Sequence, residues 1–218
     1  YRADWLARVK NRRDKISAIE EPEKLIQIND EVYPVSVREN GGDIFIRFSN
    51  GEENRLVQTG NDSNPVFHQR SKRVVFLRET ENGREIYCYD ISLGTVESLV
   101  TPNYGDKREE HLSNLSNLHF SPDGRFLYFA SSAWTTSGSI HRYDFDTREE
   151  MFISAGNSLE VIKYGKYKGH LVASKHKYYQ GGGSYDDYWL LTQDGKEIMD
   201  LGDALDGVQN FLSHSMAF

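Results

Sequence analysis

Residues 116–154 read SNLHFSPDGRFLYFASSAWTTSGSIHRYDFDTREEMFIS and divide into four short strands. The first stops at Ser121-Pro122-Asp123-Gly124, where proline fixes φ and glycine accepts a positive φ, the chemistry of a tight turn. The second, residues 126–130, is unbroken apolar sequence, as a strand covered on both faces requires. A variable loop leads to a third strand of alternating character at 140–143, and the turn 144–148 returns the chain into a fourth at 150–154. Residues 63–100, SNPVFHQRSKRVVFLRETENGREIYCYDISLGTVESLV, repeat this plan. Phe67 falls on Phe120, 53 residues later, Val74-Val75-Phe76-Leu77 on Phe126-Leu127-Tyr128-Phe129, and Tyr89-Asp90 on Tyr143-Asp144.

A looser copy begins at Leu159, with 170–174 as its second strand, 188–191 as its third, a turn at Gln193-Asp194-Gly195 and 197–201 as its fourth. Residues 43–59 overlay 85–101 and supply strands three and four of a further unit, with 33–37 as its second. At the other end, 208–218 (VQNFLSHSMAF) resembles a first strand with nothing behind it. Small sheets that cannot bury their faces alone stack on their neighbours. Four-stranded units of this kind are the blades of β-propellers, which carry roughly four to eight of them. The predicted fold is all-β, a propeller of four-stranded antiparallel blades with four units, or five if 24–28 belongs to another, behind a short N-terminal helix. Trp5, Leu6, Val9, Ile16 and Ile19 recur at helical spacing before Glu21-Pro22, which sets the helical segment at 1–22. The propeller then takes 23–218, in units 31–60 plus 208–218, 63–101, 116–155 and 159–202. In that arrangement 208–218 pairs beside 31–58 and closes the ring. The alternative is a chain that continues into further blades.

Phe120-Ser121-Pro122-Asp123-Gly124-Arg125, followed by Leu127-Tyr128-Phe129-Ala130-Ser131 and by Tyr143-Asp144-Phe145-Asp146-Thr147, resembles the repeat of TolB-type, WD40-like propellers. Similar repeats form the N-terminal propeller of dipeptidyl-peptidase-like enzymes. The resemblance covers 63–154 well and the flanks poorly. Gln69-Arg70-Ser71-Lys72 replaces the Ser-Pro-Asp-Gly turn in one copy, and Tyr164-Gly165-Lys166-Tyr167 stands in another. It speaks to fold rather than function, because propellers host enzymes, receptors and scaffolds alike. It also implies export to the periplasm or the cell surface, with the cytoplasm as the alternative.

Lys and Arg number 26 against 33 Asp and Glu, a net charge of -7. General nucleic-acid binding is excluded on that balance, since it needs a basic face to displace phosphate counterions. Insertion into a membrane is not expected, as no apolar run approaches a spanning length. Residue 1 is Tyr, so the chain is expected to begin inside a longer protein. The single cysteine, Cys88, rules out an internal disulfide and a cysteine-based zinc site within one chain. The sequence holds no G-x-S-x-G, no H-E-x-x-H, no Walker loop and no G-x-G-x-x-G. His68, His119, His141 and His170 fall on strands and read as packed or surface residues. No catalytic residue, no metal site and no cofactor is expected.

The units differ most in their loops. Strands that run up and down put the second-to-third loops and the unit-to-unit links on one face. Those loops, 79–84, 131–139 and 175–187, lengthen along the chain and gain Trp134, Tyr178, Tyr179 and Tyr185 beside His176. The link 101–115 adds Tyr104 and His111. Tyrosine and tryptophan give large contact area with a polar handle, the usual anchors of protein interfaces. The bland reading is that they cover blade edges. Asp186 and Asp187 read either as a carboxylate pair or as a solvated loop tip beside three glycines. The expected function is non-enzymatic binding of another macromolecule, a protein of unknown identity, in the manner of an exported bacterial accessory or inhibitory protein. Two alternatives remain: a glycan-acting hydrolase or lyase with a carboxylate-lined axial pocket, and the non-catalytic propeller of a larger enzyme.

Overall fold

The computed structural model describes residues 32–105, 107–132 and 137–215. The helix expected at 1–22 and the extra unit at 24–28 lie outside them. The described residues form four antiparallel sheets. The first has three strands, β1 (Pro34–Asn40), β2 (Asp43–Phe48) and β3 (Glu53–Gln58). The second comprises β4 (Asp62–His68), β5 (Arg73–Thr80), β6 (Gly83–Asp90) and β7 (Thr95–Val100). The third comprises β8 (Ser116–Phe120), β9 (Phe126–Ser132), β10 (Gly138–Asp144) and β11 (Glu149–Ala155). The fourth comprises β12 (Ser158–Val161), β13 (Leu171–Tyr178), β14 (Ser184–Leu191) and β15 (Glu197–Gly202). Each sheet runs in sequence order from its first strand to its last, so every blade is a simple meander.

Blade packs on blade through apolar side chains. Ile44, Ile46 and Phe48 meet Val74, Phe76 and Tyr89 between the first two blades. Val75, Leu77 and Ile86 meet Leu118, Leu127 and Phe129 between the second and third. Phe126, Tyr128 and Ile140 meet Leu159, Leu171 and Ala173 between the third and fourth. Both faces of β5 and β9 are therefore occupied, which explains their unbroken apolar runs. Burying each such side chain contributes about 1.5–3 kcal/mol. The first strands β4, β8 and β12 are neighbours along the inner side. β4 and β8 each carry a bulge, with Asn64 and Asn117 at φ +50° and +55°. Asparagine is among the few residues that tolerate this conformation. The Asn117 amide also donates to the Leu159 carbonyl at 3.1 Å, tying β8 to the next blade.

The Ser-Pro-Asp-Gly turn forms as its residues predict. Ser121 Oγ donates to Asp123 at 2.6 Å and accepts the Phe126 amide at 2.9 Å. Gly124 has φ +76°, and a Cβ there would meet the His68 ring at 2.4 Å. Conformation and space both demand glycine.

Two expectations are corrected. Of the expected closing strand 208–218 beside 31–58, the described residues 208–215 are not strand. A helix, α1 (Leu205–Ser215), stands there instead and packs on the fourth blade. Val208, Phe211 and Leu212 recur at helical spacing and meet Ile162, Val172 and Leu190, so one helix face covers the apolar side that a further blade would cover. Among the described residues the first sheet keeps three strands. The second correction concerns 175–187, read as a loop. β13 and β14 pair through Tyr178↔Ser184, which leaves only 179–183 as the turn.

Candidate binding face

Hydrogen bonds place the links and the second-to-third hairpins on one face of the array. The Glu79 amide donates to Asn61 at 3.0 Å, the Ser132 amide to Ser113 at 2.9 Å, and the Asn157 amide to Ser174 at 2.8 Å. On this face the fourth blade departs from the others. β12 covers β13 only as far as Ser174, and β15 covers β14 only from Tyr188. Beyond them the hairpin continues as a two-stranded ribbon, from Lys175↔Asp187 to Tyr178↔Ser184. Such a ribbon is marginal in water by itself, and its side chains supply the support.

Successive side chains on a strand point to opposite faces, which separates the two aspartates. Asp187 is buried, bonds Lys177 Nζ and accepts the Trp189 indole N–H at 2.8 Å. Asp186 lies on the other side and pairs with His176 Nδ1 at 3.2 Å. Their side chains do not face each other. Burial alone would raise the Asp187 carboxyl, but hydrogen bonds from Lys177 and Trp189 outweigh it and hold the group below the usual range. The same bond raises the Lys177 ammonium. Lys175 reaches across to Glu197. The ribbon is thus braced at its base by ion pairs that each join a buried or half-buried partner to an exposed one.

Its tip presents the tyrosines. Tyr178 and Tyr179 are 64% and 53% exposed. Tyr179 stacks on Tyr185 at 4.5 Å, and Tyr178 meets His176 edge-on at 5.0 Å. Gly182 and Gly183, at φ +95° and +87°, close the turn. Tyr104, 73% exposed, meets His111 edge-on at 5.0 Å within the link from the second blade to the third. The candidates therefore fall into two groups: His176, Tyr178, Tyr179, Tyr185, Asp186 and Asp187 on one ribbon, Tyr104 and His111 on another segment. Trp134 lies outside the described residues.

The structure also reveals a chain of groups that sequence spacing does not announce. Ser139 Oγ and His141 Nε2 lie 2.7 Å apart, and His141 Nδ1 and Glu150 Oε1 lie 2.5 Å apart. This is the order of a nucleophile, base and acid, yet Ser139 and His141 are both 0% exposed. The imidazole is stacked on Phe129 and edged by Phe152. No substrate reaches this hydroxyl while the blade is closed, so the chain of groups satisfies buried polar atoms. Cys88 is also buried, and burial pushes its thiol up to about 12, leaving no thiolate for chemistry at neutral pH.

The two carboxylates on β4, β8 and β12 have different surroundings. Asp62 is buried, held by Arg78 at 2.6 and 3.0 Å and by Thr59 at 2.7 Å. Glu160 is exposed on β12. A cleft of about 610 Å³ opens on the outer part of the third blade, lined by Arg142, Asp144, Thr147, Glu149, Glu150 and Met151. Among the described residues no group of three His, Cys, Asp or Glu could hold a metal ion. No helix among them is long and apolar enough to cross a membrane.

No family model and no curated protein matches this chain. Solved structures do. The β-propeller domain of the Trilobed protease from Pyrococcus furiosus, described as having an open velcro topology, superposes with a TM-score of 0.58 at 14% identity. That match covers 79% of this chain and 58% of the other. The fold is a β-propeller. Oligogalacturonate lyase from Vibrio parahaemolyticus matches with a TM-score of 0.52 at 16% identity, over 76% of this chain and 45% of that one. TolB from Acinetobacter baumannii matches with a TM-score of 0.50 at 18% identity, over 79% and 42%. The chain thus spans about half the length of these structures. Such distant likenesses fix the propeller fold and leave activity open, since the same fold carries a lyase and a protease domain.

Proposed function

We propose that this propeller binds another protein through the face that carries the β13–β14 ribbon. The observation that supports it most is the exposure of Tyr178 and Tyr179 at the end of a ribbon anchored by Asp187, Lys177 and Trp189. Large aromatic side chains on a pre-organised support lose little entropy on binding. The lyase reading has less behind it because, of the carboxylates on β4, β8 and β12, Asp62 is already held by Arg78 and Thr59. A periplasmic or cell-surface location belongs to this proposal through the TolB-like repeat at 120–131.

Pull-down from the source organism with the full chain as bait provides the test. Tyr178→Ala combined with Tyr179→Ala is expected to weaken capture of the specific partner at least tenfold, with thermal unfolding nearly unchanged. Undiminished capture by the double variant would remove the ribbon from the binding face.

A further inference from the structure

The ribbon has one backbone edge that its own blade leaves uncovered. Ser174 turns its carbonyl outward to Asn157, while Tyr179 turns its amide inward to Gly183. Peptide groups alternate in direction along a strand, so the even-numbered residues of β13, and those paired with them on β14, point away from the ribbon's own ladder. Thr192, whose amide donates to Lys196, sets the same phase on β14. Tyr188 meets β15 at Gly202, but Ser184 and Asp186 lie beyond the end of that strand. Among the described residues, no hydrogen bond reaches their amides or carbonyls. In the third blade the outer strand reaches nearly the start of β10, pairing Ser139 with Ala155. An open edge of this sort is a template for another strand.

We propose that this edge pairs antiparallel with the same edge of a second copy, forming a two-fold dimer whose axis passes beside Tyr185. In that register Ser184 faces Asp186 of the second copy, and each such pair exchanges both its N–H···O bonds. The carboxylate meets a hydroxyl rather than another carboxylate. Tyr185 meets Tyr185, an aromatic cross-strand pair of the kind that stabilises sheets. The next position sets Asp187 against Gly183, and the bare glycines 181–183 let the base of the second ribbon approach. The two bodies extend in opposite directions from the overlap, each beyond the other's tip. The β13 edge does not offer this. A two-fold beside Lys177 would set one ammonium against another, which is unfavourable. Three residues of overlap bury less than the roughly 1,200 Å² of a stable complex, so the dimer is weak and concentration dependent. It uses the β14 backbone and does not depend on the partner reading; its failure leaves the role of Tyr178 and Tyr179 untouched.

Sedimentation of the full 218-residue chain over about two decades of concentration, up to roughly 0.5 mM, tests the dimer in the weak-interface regime. A reversible monomer–dimer equilibrium is expected. Asp186→Pro removes the outward amide without touching the ribbon's own ladder, as edge strands tolerate. That variant should stay monomeric with a wild-type circular dichroism spectrum. A wild-type chain that remains monomeric throughout, or a folded Asp186→Pro chain that dimerises equally, overturns the proposal. Should the variant fail to fold, amide exchange by NMR on the wild type decides. Slowing of Ser184 and Asp186 at high concentration supports the dimer, and equal exchange at high and low concentration refutes it.

Discussion

In the third blade the described strands of the β9–β10 hairpin are covered by their neighbours, while in the fourth the equivalent hairpin runs past its neighbours into solvent. β9 is flanked by the link 101–115, which reaches it through Ser113 and Ser131, and β10 is paired with β11 as far as Ser139. Its polar groups, Ser139, His141 and Glu150, satisfy one another inside the blade. The β13–β14 hairpin carries a comparable set of polar groups, Lys177, Asp187, Asp186 and His176, on a ribbon with two tyrosines at its end. Similar chemistry serves different ends: enclosed, it completes a core; extended, it stiffens a projection. The lesson is that accessibility, rather than residue type, separates the sealed Ser-His-Glu chain from a working site.

The comparison breaks most visibly at Phe129, which is fully buried in the third blade and packs on His141. Phe129→Ala is expected to cost about 3–5 kcal/mol, seen as a large drop in the urea midpoint with little change in slope. A loss below about 1 kcal/mol would mean that the third blade is no more rigid than the ribbon. Asp187→Asn should be milder and local, because Lys177 keeps access to water. It is expected to cost about 1 kcal/mol and to speed amide exchange at 175–178 and 184–187 before any other strand. Uniform acceleration across all blades would show that the ribbon is not a separate unit of stability.

The smallest effect concerns pH at two half-buried histidines of the first strands, His68 on β4 and His119 on β8. Burial lowers the His119 imidazole, assisted by the Lys163 ammonium, and burial likewise lowers His68. The unfolded chain takes up protons at these rings near the ordinary histidine value of about 6.5, while the folded chain resists. Stability is therefore expected to fall as pH drops through that value, and His119→Gln should flatten part of the decline between about pH 7 and 5.5. An unchanged slope in the variant would place the acid sensitivity elsewhere.

Much of the blade plan was legible in the residues. Phe126 to Phe129 and Val74 to Leu77 are apolar at every position because each of those strands is pressed between two neighbours. Ser121-Pro122-Asp123-Gly124 names its own turn, since the serine, the aspartate and the glycine each meet a local backbone requirement. At the C-terminal end the local pattern misled. Val208, Phe211 and Leu212 suit either a short strand or one helix face, and only the apolar side of the fourth blade selects the helix. The candidate site was half legible. The tyrosines at 178, 179 and 185 stood out by composition, whereas the division of Asp186 from Asp187 required knowing that 184–187 is strand.

The repeat and the turns could be read from the residues alone, because they rest on interactions between neighbours along the chain. Which edges are covered and which polar groups are sealed depends on how the blades pack. Coverage depends on where a neighbouring strand ends, at Ser158 for β12 and Gly202 for β15, and no local pattern encodes a neighbour's length. The uncovered end of β13 and β14 therefore emerges only from the assembled blades.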